Sequence, residues 1–344
     1  MMRSLLKEVG RGKRGARDLT YEEALQGAEM ILTGAATQAQ IGAFLVAERI
    51  KMESPDELKA FIDALRARIT PYPIADSIDC AGPYDGRART FIATLPTAFV
   101  LAACGLSTTL HSSPSMPPKW GITLADVLEA LNIPALHASR EALVSAAART
   151  GFLFTPTENW CAPLGELRGL REELGLRTVF NTAEKLLRFT EAPYMAVGVF
   201  HGTVFEKITN LLIDLGVSRG IVVQGMEGSE DLSVDKRTRT YVIQDGSSEL
   251  FTVDPEVYEL MVEVPEVEWT AELQGQMALS VLRGEGELPY LNMVLLNSAV
   301  RLWVAQKAGS IEEGITLARQ AIEQGAALRK FTEWAEAIKP VSAT

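Results

Sequence analysis

The sequence predicts an α/β protein, with a small N-terminal α-helical domain and a larger domain whose mainly parallel central sheet is flanked by helices. Three observations predict it. Three helix-capping boxes fall within fifty residues near the N-terminus, short apolar runs replace that texture beyond Pro73, and two of those runs are joined through a helix. A strand–helix–strand order of that kind implies a parallel sheet.

The elements follow in chain order. Thr20-Tyr21-Glu22-Glu23 is a capping box, in which the hydroxyl caps an orphan amide and the glutamate reaches back. Ala24, Leu25, Ala28, Ile31 and Leu32 continue at helical spacing, and Gly34 supplies the stop. Thr37-Gln38-Ala39-Gln40 opens a second helix with Ile41, Phe44, Leu45 and Ala47 on one face. Ser54-Pro55-Asp56-Glu57 opens a third, with proline at the favoured first position and Leu58, Phe61, Ile62 and Leu65 following. Pro71-Tyr72-Pro73 closes the helical region. Beyond it, 78–81, 151–154, 195–200 and 220–224 read as buried strands. Thr203-Val204-Phe205-Glu206 predicts a boxed helix ending at Gly216, and Ser310-Ile311-Glu312-Glu313 opens an alanine-rich helix near the C-terminus.

Composition bounds the function. The chain has 344 residues, 47% hydrophobic and 22% charged, enough for one large domain or two medium ones and unlike a disordered chain. Its longest apolar run, 91–104, is short for a bilayer and contains Pro96. No apolar stretch follows Arg3 and Lys7 as a signal peptide requires, and Cys80, Cys104 and Cys161 form no CxxC. A soluble, cytoplasmic chain with reduced thiols is expected. The formal charge of −11 counts in bulk against nucleic acid. However, nine carboxylates and no Lys or Arg lie between Tyr241 and Leu282, so the other 302 residues carry 33 bases and 35 acids. The deficit belongs mainly to one segment.

Four stretches carry candidate chemistry. Asp79 to Gly86 follows a predicted strand and precedes Thr90 and a helical run, where a glycine-containing turn either cradles a phosphate or simply reverses the chain. Thr94 and Thr97 add hydroxyl contacts there or cap the helix. The polar, proline-rich Leu110 to Gly121 reads as an irregular loop carrying His111, which either meets an anion or orients a substrate, or stands on the surface without a task. Gly225 to Asp231 places Glu230 and Asp231, with Glu227 near them, beyond a parallel strand; they hold Mg²⁺ or form a solvated acidic turn. Arg168, Arg171 and Arg177 recognise a carboxylate or phosphate, or pair along an exposed helix.

In their order and spacing these pieces resemble the anthranilate phosphoribosyltransferase (glycosyltransferase family 3) family, from about Leu19 to Leu328. The carrying residues are Gln40 to Leu45 with Arg49 and Lys51; Asp79 to Gly86 with Thr90-Phe91; His111; Asp126 to Leu131; Leu174 to Asn181; and Gly225 to Asp231. The resemblance implies a phosphoribosyltransferase/nucleoside-phosphorylase-like fold. It implies a dimerisation domain at 1–73, joined by helices from about 163–190, and an α/β domain at 74–344. Phosphoribosyl pyrophosphate and Mg²⁺ would bind in a cleft of a cytoplasmic homodimer related to tryptophan biosynthesis. Gly82, Asp85, Gly86, Thr90, Thr94 and Lys119 would form the phosphoribosyl pyrophosphate region, His111, Ser113 and Arg171 the acceptor region, and Glu230 and Asp231 the metal pair.

The departures shape the expectation. The family loop Gly-Thr-Gly-Gly-Asp-Gly is one residue shorter here, as Gly82-Pro83-Tyr84-Asp85-Gly86, with an amide lost at Pro83 and bulk added at Tyr84. The family's Asn-Ile-Ser-Thr is Ile92-Ala93-Thr94-Leu95, and its Lys-His-Gly-Asn is Leu110-His111-Ser112-Ser113. An altered acceptor follows. Met116 to Thr123 and Gly225 to Leu232 resemble a divergent second branch, some members of which bind nucleic acid without transferase activity. That alternative assigns phosphate contacts to Lys119, Arg168, Arg171 and the cluster Arg3, Lys7, Arg11, Lys13, Arg14 and Arg17, with Trp120 and Trp160 as stacking faces. A disordered basic tail is the other reading of that cluster.

Overall fold

A computed structural model describes residues 1–12 and 14–339; Lys13 lies outside them. The chain divides into two compact units, one of residues 1–70, 116–120 and 157–188 and the other of residues 71–115, 121–156 and 189–344.

The first unit is helical. It contains α1 (Met2–Val9), α2 (Tyr21–Leu32), α3 (Gln38–Lys51) and α4 (Pro55–Arg66), with short helices such as Arg168–Leu174 and Phe180–Ala183. The capping boxes at Thr20, Thr37 and Ser54 are all formed with both arms. Local hydrogen bonding therefore sets where α2, α3 and α4 begin. Phe44, Phe61 and Phe180 centre the core, with ring centroids 6.2 Å and 5.4 Å apart.

The second unit is built on a seven-stranded sheet in the order β3-β2-β1-β4-β5-β6-β7. The strands are β1 (Ser77–Ala81), β2 (Ser107–Ser112), β3 (Phe152–Pro156), β4 (Tyr194–Gly198), β5 (Arg219–Val223), β6 (Thr238–Gln244) and β7 (Ser247–Val253). The first five pair in parallel, and β6 and β7 close one side as an antiparallel hairpin. In β7 the residues from Ser247 to Leu250 are exposed. Helices supply the apolar cover. In Leu288–Val304 thirteen of seventeen residues are buried, and Phe99, Phe152 and Trp334 meet at ring-centroid distances of 4.3 to 5.8 Å.

Three local expectations need correction. His111 is the penultimate residue of strand β2 and is 3% exposed, so it lies in no irregular loop. Thr203 caps nothing: a short 3₁₀ turn over Gly202–Val204 precedes a helix that starts at Phe205 without a side-chain cap. Strands β2, β6 and β7 lacked the unbroken apolar run that marked the other four, because Ser, Thr and Arg interrupt them.

Candidate active site

Strands β1, β2 and β3 step outward on one side of the sheet, and β4 and β5 extend it on the other. The direction of travel reverses between β1 and β4, the kind of place where open parallel sheets bind ligands beyond their C-terminal ends. The segments leaving β1 and β5 meet there.

The turn after β1 is tied down. Gly86 N donates to Pro83 O at 3.1 Å, Gly121 N to Asp85 O at 3.0 Å, and Arg87 and Ile122 exchange amide bonds at 2.9 and 2.8 Å. Gly86 has φ +73°, and a Cβ on it would overlap the Gly121 carbonyl, so glycine is required. Tyr84 turns inward, its hydroxyl 2.5 Å from His111 Nδ1, while His111 Nε2 lies 3.2 Å from Asp79 Oδ1.

The carboxylates after β5 are buried among cations. Asp231 Oδ2 accepts from Arg87 Nη1 at 2.6 Å and Thr94 N at 3.1 Å, and Asp231 Oδ1 accepts from Arg301 Nη2 at 3.0 Å. Glu230 differs. It is 1% exposed, neither carboxylate oxygen has a hydrogen-bond partner among the described residues, and Arg87 Nη2 stands 3.7 Å from Oε2. Glu230 lines a chamber of about 20 Å³ with Gly82, Tyr84, Arg87, Thr94 and His111. The Thr94 hydroxyl is also buried without a partner. Leaving such groups unpaired costs about 1–3 kcal/mol each, so a polar chamber of this kind suits hydroxyl donors and acceptors from a ligand.

The expected magnesium pair does not fit a divalent cation in this arrangement. Both Asp231 oxygens hold guanidinium groups, and the same guanidinium of Arg87 would repel a cation at Glu230. Among the described residues, no three His, Cys, Asp or Glu side chains are grouped to hold a metal ion. Thiol chemistry is also unsupported, because burial pushes the Cys80 thiol up to about 12 and the Cys104 and Cys161 thiols up to about 11.

Of the residues singled out from sequence, Gly82, Asp85, Gly86, Thr90, Thr94, His111, Ser113, Glu230 and Asp231 belong to the second unit, and Lys119 and Arg171 to the first. Arg171 is 2% exposed and holds Glu184 through two bonds of 2.7 and 2.8 Å, so its fork is already engaged. Arg168 pairs with Glu158 and Glu172, Arg11 with Glu8, and Arg17 with Glu8 and Glu23. Trp120 is 56% exposed, whereas Trp160 is buried. Sequence reasoning missed Arg87 and Arg301, and it placed Asp79 in the candidate stretch without its neighbour His111. Arg87 and Arg301 lie 144 and 70 positions from their partner, and no local pattern announces such pairs.

Two family models match the chain in succession, the second also spanning the 116–120 and 157–188 segments of the helical unit. Residues 3–69 match the model of the glycosyl transferase family, helical bundle domain, and residues 75–328 that of the glycosyl transferase family, a/b domain. The chain is 32% identical over 341 residues to an anthranilate phosphoribosyltransferase of Acetivibrio thermocellus, covering 98% of this chain and 96% of that one. It is 34% identical over 344 residues to that of Thermomicrobium roseum, covering 96% and 95%. The crystal structure of anthranilate phosphoribosyltransferase from Thermus thermophilus superposes with a TM-score of 0.81 at 26% identity, covering 98% of this chain and 99% of that one. The Saccharomyces cerevisiae protein, solved in complex with PRPP and Mg, shares the fold at a TM-score of 0.79 and 18% identity, covering 98% and 97%.

Proposed function

The chain belongs to the anthranilate phosphoribosyltransferase family, and from that premise we propose that its second unit binds phosphoribosyl pyrophosphate or a close relative, as a glycosyltransferase with an altered acceptor. One observation carries the reading. Glu230 and Thr94 bring three unpartnered buried oxygens to one chamber at the point where the sheet reverses direction. At about 20 Å³ the chamber itself admits little more than one water, so the carboxylate meets a ligand at its mouth, where it accepts a hydroxyl or a bridging water and favours positive charge developing at an anomeric carbon. Asp231, held by Arg87, Arg301 and the Thr94 amide, is a positioning residue: it fixes the start of the helix Thr94–Ala103 and the guanidinium beside Glu230.

The altered acceptor rests on two residues. Arg171, matched by resemblance to the arginine that places anthranilate, is committed to Glu184, and His111 Nδ1 is engaged by Tyr84, while Nε2 lies 3.2 Å from Asp79 without a formed hydrogen bond. A phosphoribosyl-type ligand with a different nucleophile is consistent with both. Of the cations assigned to nucleic acid, Arg11, Arg17, Arg168 and Arg171 are ion-paired, which leaves them less suited to phosphate contacts.

The expected homodimer has a surface to use. Leu6, Val9, Ala43, Val46, Ala47 and Ile50 of the helical unit line an apolar groove of about 300 Å³, and Ile50 is 60% exposed. A second copy of this chain is the occupant we assign to it.

Isothermal titration of the protein with phosphoribosyl pyrophosphate, with and without Mg²⁺, tests the reading. Saturable heat is expected, and Glu230→Gln should weaken it. Flat heat up to millimolar ligand in both buffers would overturn it.

A further inference from the structure

Glu227 lies in the turn Met226–Gly228 after β5 and adopts φ 54°, ψ 21°, a left-handed conformation that is strained for a non-glycine residue. Its side chain crosses to the segment after β1. Oε1 accepts from Ala88 N at 3.0 Å, and Oε2 accepts from Arg89 N at 3.1 Å, Thr90 Oγ1 at 2.8 Å and, more weakly, Ala88 N at 3.3 Å. Two successive amides and a hydroxyl thus converge on one oxyanion. This is the donor geometry with which backbone nests hold phosphate. Ala88 and Arg89 are exposed, so an anion in solution can reach the same donors. No ion pair engages the Arg89 guanidinium among the described residues, and it adds positive charge on the same exposed segment.

The family resemblance already assigns Thr90 to the phosphoribosyl pyrophosphate region; we propose that Glu227 is a built-in competitor for a phosphoryl group at the Ala88 and Arg89 amides and the Thr90 hydroxyl. The carboxylate fills this cradle until a phosphoryl group displaces it. Displacement releases the Glu227 side chain, four residues before Asp231, while the backbone bonds Gly228 N to Gly225 O and Ser229 N to Met226 O remain. The inference rests on the reading above that the ligand is phosphorylated, and it adds how that ligand gains entry.

The arithmetic is that of a partly blocked site. If Glu227 occupies the cradle about nine-tenths of the time, the apparent affinity for a phosphoryl ligand falls about tenfold. Removing the carboxylate should restore it. Inorganic pyrophosphate is titrated calorimetrically into wild type, Glu227→Ala and Glu227→Gln at fixed ionic strength, and phosphoribosyl pyrophosphate in parallel. Circular dichroism checks that each variant is folded. Both variants are expected to bind pyrophosphate about tenfold more tightly than wild type, and adding Thr90→Ala to Glu227→Ala should abolish the gain. Amide resonances of Ala88 and Arg89 should move on titration in Glu227→Ala. Equal affinity in wild type and both variants, or a gain that Thr90→Ala leaves intact, overturns the competitor. If phosphoribosyl pyrophosphate binds wild type and Glu227→Ala equally, only this inference falls. If no phosphorylated ligand binds any variant, the proposed function falls with it.

Discussion

Replacing Arg171 by methionine separates a structural role from an acceptor-binding one. Arg171 and Glu184 are 2% and 1% exposed and joined by two short bonds, so removing the guanidinium strands a carboxylate away from water. Breaking a buried pair from one side costs about 3–5 kcal/mol, whereas replacing both partners by apolar groups is often close to neutral. Arg171→Met should therefore destabilise the helical unit by about that amount, and Arg171→Met with Glu184→Leu should recover most of it. Burial already raises the Glu184 pKa, against the opposing pull of Arg171. A carboxyl raised in the folded state contributes its stability below the unfolded pKa and loses it as pH rises through the folded value. The penalty of Arg171→Met should accordingly grow toward alkaline pH and shrink in acid, where protonated Glu184 needs no counter-charge. Urea titrations at several pH values, with hydrogen exchange of the Arg168–Leu174 amides reporting the local unit, measure the cycle. Unchanged stability in Arg171→Met, or a double variant no better than the single one, would refute the argument and return Arg171 to the acceptor.

Four further outcomes are expected. Burial, and next Glu57, raises the Glu48 pKa to about 8, so its folding contribution is lost as pH rises from the ordinary carboxyl range through about 8; Glu48→Gln should flatten that loss in thermal scans between pH 6 and 9. Gly86→Ala should cost about 1–3 kcal/mol from its backbone conformation alone, with steric overlap added, and an unchanged melting temperature would contradict the tight apposition to Gly121. Tyr84→Phe strips His111 Nδ1 of its buried partner and should cost about 1–3 kcal/mol by denaturant titration. Ile50→Asp should convert a dimer to a monomer in sedimentation velocity, and a wild-type monomer would remove the assigned occupant of the apolar groove.

What was legible in the sequence was local. The boxes opened by Thr20, Thr37 and Ser54 were readable because each is closed within four residues, and those caps form as the pattern requires. Thr203 carries the same pattern and fails, since the chain enters its helix through a 3₁₀ turn that no propensity marks. Strands β1, β3, β4 and β5 announce themselves by apolar runs, whereas β2 is written Ser-Thr-Thr-Leu-His-Ser and took His111 with it. At the candidate site the sequence located the segments and not their pairings. Glu230 and Asp231 are adjacent and look equivalent, yet one is saturated by two arginines from distant segments and the other is left with bare oxygens. Such a distinction arises only after folding, because contacts 70 to 144 residues apart decide it.

The outer strand of the sheet gives the acidic segment a purpose that net charge does not reveal. Among the described residues β7 has no strand on its far side, and Ser247 to Leu250 are exposed there. An open edge of that kind is a template on which another chain can add a strand. Glu249 sits within the edge and Asp245 precedes it, whereas Asp254 beyond it is paired with Arg237, so an approaching copy brings Glu249 and Asp245 against their like. Glu249 and Asp245 therefore disfavour edge-to-edge pairing of copies, an effect that weakens as salt screens it.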